Sequence, residues 1–149
     1  MITLDERIRP VLESTGFVQR YKNLSDANSN VDSKMENYSN EEVINIANDL
    51  GYEINYNRKE NFFKLLENDL GLKTQLNISL KYGLVELILD VVKDGERYSV
   101  GGPFGMITRL LGEEERVKYP AFSNYNELRS ILKEAFSLYS DIRKGLLNR

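Results

Sequence analysis

From Leu72 to Tyr82 the side chains alternate one for one. Even positions carry Leu72, Thr74, Leu76, Ile78, Leu80 and Tyr82, and odd positions carry Lys73, Gln75, Asn77, Ser79 and Lys81. A period of two is that of a strand with one wet face. Gly83 allows a tight turn, and Leu84–Val92 reads as a second strand with Val85, Leu87, Leu89 and Val91 on one face. Lys93-Asp94-Gly95-Glu96 follows, and Asp-Gly suits the left-handed positions of a type I′ hairpin turn. Arg97–Val100 returns as a short third strand. Three consecutive strands on short turns predict an antiparallel meander.

Elsewhere the period is helical. Thr3-Leu4-Asp5-Glu6 has the form of a capping box ahead of Leu4, Ile8, Val11 and Leu12, with Gly16 as a stop. Pro10 falls inside that pattern, so this helix is short, bent, or begins later than the cap suggests. Residues 23–39, poor in large apolar groups and rich in Asn, Ser and Asp, read as a mobile loop. Ser39-Asn40-Glu41-Glu42 opens a helix through Val43, Ile44, Ala47 and Leu50 that stops at Gly51. Asn57-Arg58-Lys59-Glu60 opens another, carrying Phe62, Phe63, Leu65, Leu66 and Leu70 and closing at Gly71. After Gly101-Gly102-Pro103, the run Phe104, Met106, Ile107, Leu110, Leu111 fits a short helix ending at Gly112, with a fourth strand as the alternative. The last helix starts at Ser123 or Asn124, with Glu127 at the third position after an Asn124 cap. Its stripe of Leu128, Ile131, Leu132, Ala135, Phe136, Leu138, Tyr139, Ile142 and Leu146 makes it the longest element. The expected architecture is one α+β domain over 1–149: N-terminal helices, a three-stranded antiparallel meander, and a long C-terminal helix packed on the sheet.

Composition narrows the chemistry. The 149 residues contain no Cys, no His and no Trp. Thiol nucleophiles, disulfides, zinc ribbons and imidazole-dependent triads are excluded with them. No apolar run is long enough to span a bilayer, and MITLDERIRP lacks the apolar core of a signal peptide, so a cytoplasmic protein without membrane association is expected. The net charge of −3 hides two unlike halves. Residues 1–70 hold 8 basic and 13 acidic side chains, and residues 71–149 hold 12 and 10. No basic stripe exists to follow a phosphate backbone, so direct nucleic-acid binding is not expected.

Each candidate for catalysis has a plainer reading. Gly101-Gly102-Pro103-Phe104-Gly105 has neither the Lys nor the spacing of a phosphate loop. Glu86 and Asp90 share a strand face, yet four residues separate them by about 13 Å, beyond the roughly 5–9.5 Å of paired glycosidase carboxylates. Glu113-Glu114-Glu115 lacks the further ligands that a hard cation needs. No catalytic constellation, cofactor or metal is expected, which leaves binding. Nine tyrosines are a mild excess, and Tyr supplies contact area at low rotamer cost. Tyr52 and Tyr56 fall near Glu41, Glu42, Asp49 and Glu53. These six are the candidate partner-binding residues, an acidic patch with tyrosines that suits a basic protein.

The strand LVELILDVV and the blocks GGPFGMITRLLG and YPAFSNYNELRSILKEAFSLYSDIRKGLL resemble small bacterial proteins encoded beside polymorphic toxins. The nearest class is the immunity proteins of contact-dependent growth inhibition systems, and the resemblance covers roughly residues 72–147. It implies a protein that binds a cognate toxin domain, often a nuclease with a basic cleft, and neutralises it stoichiometrically. No site residue is transferred by it. The alternative is a small-ligand-binding or regulatory α+β domain without catalysis.

Overall fold

The computed structural model describes residues 2–30 and 32–149. Five helices, a single-turn 3-10 segment and five strands follow one another. They are α1 (Arg9–Ser14), α2 (Phe17–Ala27), α3 (Asn40–Asp49), β1 (Asn55–Asn57), β2 (Phe62–Asp69), β3 (Leu72–Ser79), β4 (Glu86–Lys93), β5 (Glu96–Tyr98), α4 (Phe104–Leu110) and α5 (Tyr125–Leu147). The 3-10 turn, Lys81–Gly83, joins β3 to β4. The strands form one antiparallel sheet in sequence order, β1-β2-β3-β4-β5. The α+β class is as expected, but the meander has five strands rather than three.

Of the two added strands, β2 replaces the helix expected over 57–71, and β1 lies just before it. Phe62, Phe63, Leu65, Leu66 and Leu70 satisfy helical spacing, but a pair of adjacent aromatics satisfies a strand equally well. What decides is β3. Its alternating face needs a partner on the side away from β4, and β2 supplies it in register from Phe63↔Ile78 to Asp69↔Leu72. Leu70 and Gly71 then form the turn, both with left-handed backbone (φ +52° and +78°). At the other end, Asn57 Oδ1 accepts from the Glu60 N–H, and Asn61 turns left-handed (φ +56°) to close the β1–β2 hairpin. Asp94 and Gly95 (φ +51° and +82°) make the β4–β5 turn as the Asp-Gly signal predicts.

At the N-terminus the first helix is short and begins later than the cap suggests, as Pro10 implied, and the Thr3 capping box is not formed. Thr3 caps nothing: its carbonyl accepts from the Ser99 hydroxyl, and the Asp5 N–H donates to the Ser99 carbonyl. The helix begins later, at Arg9, where Pro10 occupies a first-turn position that needs no N–H partner. Gly16 (φ +69°) ends α1 and starts α2 in one step. Residues 23–27, assigned by composition to a loop, continue α2, which buries Phe17, Tyr21, Leu24 and Ser25 at helical spacing. Beyond them the chain is irregular but tied down. The Ala121 N–H donates to the Asn28 carbonyl (2.7 Å), the Met35 N–H to the Phe122 carbonyl (2.8 Å), and the Ser39 N–H to the Tyr125 hydroxyl (2.8 Å). Residue 31 of the expected loop lies outside the described residues.

One face of the sheet joins the core through Phe63, Leu65, Leu72, Leu76, Ile78, Leu87, Leu89, Val91 and Tyr98. α5 lies against it with the whole expected stripe buried. Its N-terminus is as expected, since the Asn124 side chain accepts from the Glu127 N–H. α1, α2 and α3 pack against α5, and α4 is the helix rather than the strand alternative. The opposite sheet face is wet, carrying Lys64, Gln75, Asn77, Glu86 and Asp90.

One polar cluster crosses the layers. Arg143 of α5 is 7% exposed. It donates to Thr74 Oγ1 (2.6 Å), Asp69 Oδ1 (2.8 Å) and the Leu72 carbonyl (3.3 Å). Thr74 Oγ1 also meets the Tyr139 hydroxyl at 2.6 Å. This clamp fixes the C-terminal half of α5 over the β2–β3 hairpin.

Candidate interaction surface

α3 positions the acidic part of the expected site. The Ser39 hydroxyl accepts from the Glu42 N–H and starts the helix. Glu41 and Glu42 occupy its first turn, where negative charge complements the helix dipole. Val43, Ile46 and Ala47 turn inward, so both glutamates stand in solvent. At the other end Gly51 (φ +94°) reverses the chain, and the Tyr52 N–H closes back on the Ala47 carbonyl at 2.9 Å.

The six expected residues do not form one patch. Glu41 and Asp49 are eight residues apart on a helix rising about 1.5 Å per residue, hence roughly 12 Å apart along its axis. Asp49 is already paired with Arg129 at 3.0 Å. Tyr52 is half-buried on Phe136, ring centroids 4.6 Å apart, and Tyr56 on Phe63 at 5.0 Å. The Tyr56 hydroxyl donates to Asn61 Oδ1 at 2.7 Å. The tyrosines thus anchor the end of α3 and β1 to the core and are only partly exposed. Glu41, Glu42 and Glu53 are exposed, and among the described residues none of them has an ion-pair partner.

Tyr52 and Glu53 do come together in a groove of about 480 Å³ with Gly51, Asn55, Leu65, Leu66 and Glu67. It opens where the chain before β1 diverges from β2. Two residues expected on the apolar faces of a helix and a strand stand out on the surface instead. Leu70 is 84% exposed at the β2–β3 tip, and Tyr82 is 69% exposed in the β3–β4 turn. Both have left-handed backbone, φ +52° and +62°. The signal for Leu70 was Leu-Gly directly ahead of the alternating run from Leu72, but the helical reading of 57–71 absorbed it.

The other candidates take structural roles. Glu86 Oε2 accepts from the Tyr119 hydroxyl at 2.7 Å, which with partial burial pushes the Tyr119 phenol up from its usual range. Asp90 pairs with Arg97 across the β4–β5 ladder. Glu113 accepts from the Glu115 N–H and from Lys22 (3.2 Å), and both hold its carboxyl below the usual range. Among the described residues no three carboxylates are grouped to hold a metal ion. None of the described helices is long and apolar enough to cross a membrane. A cleft of about 230 Å³ lies between α4 and residues 115–119, lined by Pro103, Met106, Arg109, Arg116, Val117 and Tyr119 among others.

Compared with protein-family models, curated proteins and solved structures, the chain gives no match.

Proposed function

We propose that this chain is a protein-binding inhibitor of the immunity type, acting by stoichiometric capture of a toxin domain with a basic surface. The observation that carries the reading is the set of exposed carboxylates Glu41, Glu42 and Glu53, which have no ion-pair partner among the described residues, with half-buried Tyr52 beside Glu53 in one groove. Between residues 36 and 60 the chain has six acidic and two basic side chains, so the local field is negative. Such a field attracts a basic partner and raises the encounter rate. A nuclease cleft, built to hold phosphates, is one basic surface of this kind.

The test is co-expression with the products of the reading frames flanking its gene. One of them should be toxic alone, tolerated with this chain, and recovered with it in a 1:1 complex. Reversing Glu41, Glu42 and Glu53 to Lys should then slow association and flatten its salt dependence, with a stability loss of about 1–2 kcal/mol from the first turn of α3 that the urea midpoint reads separately. If no flanking product is toxic alone and none forms a complex, the reading fails.

A second reading rests on the α4 cleft, where Arg109 and Arg116 flank the apolar Met106 and Val117. At about 230 Å³ it is smaller than the roughly 300–1,000 Å³ of drug-sized sites, so it suits only a small anion with a short apolar group. Thermal shifts with benzoate and phenyl phosphate test it. No shift at millimolar concentration removes it.

A further inference from the structure

The edge of the sheet at β2 is only partly covered. β1 has three residues and pairs with Phe62, Phe63 and Lys64, leaving Leu65–Asp69 without a neighbour on that side. The hairpin phase says which groups this exposes. Asp69 and Leu72 flank a two-residue turn, so that pair exchanges both ladder hydrogen bonds. Every second residue of β2 then turns its amide away from β3. Phe62 and Lys64 turn theirs to β1, and Leu66 and Asn68 turn theirs past its end. Among the described residues no strand is in register with Leu66 or Asn68 on that side, and no backbone bond outside the ladders reaches their amide N–H or carbonyl. An uncovered edge of this kind is a template for another strand.

Three features say what would cover it. First, the 480 Å³ groove between Tyr52-Glu53 and Leu65-Leu66-Glu67 lies along this edge and leaves room for a further chain. Second, the edge carries exposed apolar surface. Leu66 is 45% exposed on the wet face, and Leu70 is 84% exposed just beyond Asp69. Leu70 occupies a left-handed turn position that Asn would fill without crowding its own carbonyl. Third, the other row beside the edge is acidic. Glu67, Asp69 and Glu53 are offset only by Arg143, which is itself buried. A second copy of this chain would bring those carboxylates against their own images, so the charge disfavours self-pairing.

We propose that the β2 edge takes an extended segment of a partner protein as a sixth strand, with alternating basic and apolar side chains. Its amides pair with those of Leu66 and Asn68, its apolar row lies against Leu66 and Leu70, and its basic row faces Glu53 and Glu67. This rests on the protein-binding reading only in that the occupant is polypeptide. It locates the contact on β2, where that reading alone places it on α3.

A capped Lys-Val-Lys-Val-Lys-Val hexapeptide, titrated into the isotope-labelled full-length chain and followed by amide NMR, tests the edge. The expected shifts cluster at Leu66, Asn68 and residues 51–53. They vanish for the same peptide N-methylated at alternate residues, because the ladder can no longer form. Leu66→Pro removes one outward N–H without touching the β2–β3 ladder, so the fold is expected to survive. Binding should weaken about fivefold for that one lost bond. Glu53→Lys, which leaves the ladder alone, should weaken it by a similar factor and reduce its salt dependence. Leu70→Asn should raise the urea midpoint of the free chain by about 0.5 M while weakening the peptide. Shifts centred elsewhere, no shifts at millimolar peptide, equal binding of the N-methylated peptide, or peptide affinity unchanged in all three variants would overturn the proposal. Capture of a toxin without any of these effects would leave the proposed function standing and remove only this edge.

Discussion

Arg143 offers the sharpest test of how this fold holds together. Its guanidinium is 7% exposed and binds three parts of the β2–β3 hairpin at once. The contribution of each contact differs. Asp69 is 62% exposed, so its ion pair with Arg143 is screened and contributes about 0–1 kcal/mol. The bond to Thr74 Oγ1 at 2.6 Å is buried and charge-assisted, and contributes about 1.5–3 kcal/mol. The contact to the Leu72 carbonyl at 3.3 Å is long and adds little. Replacing Arg143 by Met keeps most of the buried volume and removes all the donors. Thr74 retains its bond to Tyr139, so no side-chain hydroxyl is stranded. The expected loss is about 3 kcal/mol, which at a urea slope of roughly 2 kcal/mol/M lowers the midpoint by about 1.5 M. Asp69→Asn removes the screened pair alone and should cost about 1 kcal/mol or less. Urea unfolding followed by circular dichroism reads both. The opposing effect is the cost of dehydrating a cation, which in some proteins cancels the bonds it makes. An Arg143→Met midpoint within about 0.25 M of the parent would show that cancellation here and refute the clamp. So would equal losses in the two variants, because the exposed pair would then carry the whole effect.

Other consequences follow from the buried phenols. The Tyr21 hydroxyl is buried and has no hydrogen-bond partner, so Tyr21→Phe should stabilise the chain by about 1 kcal/mol, raising its melting temperature by roughly 2–4 °C in calorimetry. A loss of similar size would mean that the hydroxyl is satisfied by ordered water. Burial pushes the phenols of Tyr21 and Tyr139 above their usual value. Stability is therefore unaffected by their titration below the unfolded value of about 10 and falls as pH rises above it, because the unfolded chain releases protons that the folded chain keeps. The urea midpoint should hold to about pH 10 and then fall, with a shallower fall in Tyr21→Phe, and a flat profile to pH 11.5 would contradict the burial argument.

How far the sequence alone reached depends on whether local and tertiary demands agreed. They agreed in α5, where Asn124, Glu127 and a nine-residue stripe specify start, face and length without help. They agreed in β3, β4 and the Asp94-Gly95 turn, where a strict period of two meets a turn of the right chemistry. They agreed in α3, from its Ser39 cap to Gly51. They diverged over 57–71, where five apolar residues fit a helical period, yet the need of β3 for a neighbour makes a strand that buries only Phe63 and Leu65. They diverged again in α2, whose polar second half is helical because Leu24 and Ser25 are buried by the rest of the fold.

The proposed binding surface divides in the same way. Sequence supplied its composition: acidic residues and tyrosines around α3, in a chain without His or Cys. Tertiary structure spread those residues apart, with Asp49 paired to Arg129 and Tyr52 and Tyr56 set on core aromatics. It also exposed what composition could not mark, the free edge of β2 and the Leu70 tip. Local pattern determines which way a side chain faces within its own element. Which faces and edges remain uncovered depends on every other element, and that is known only once all of them are packed.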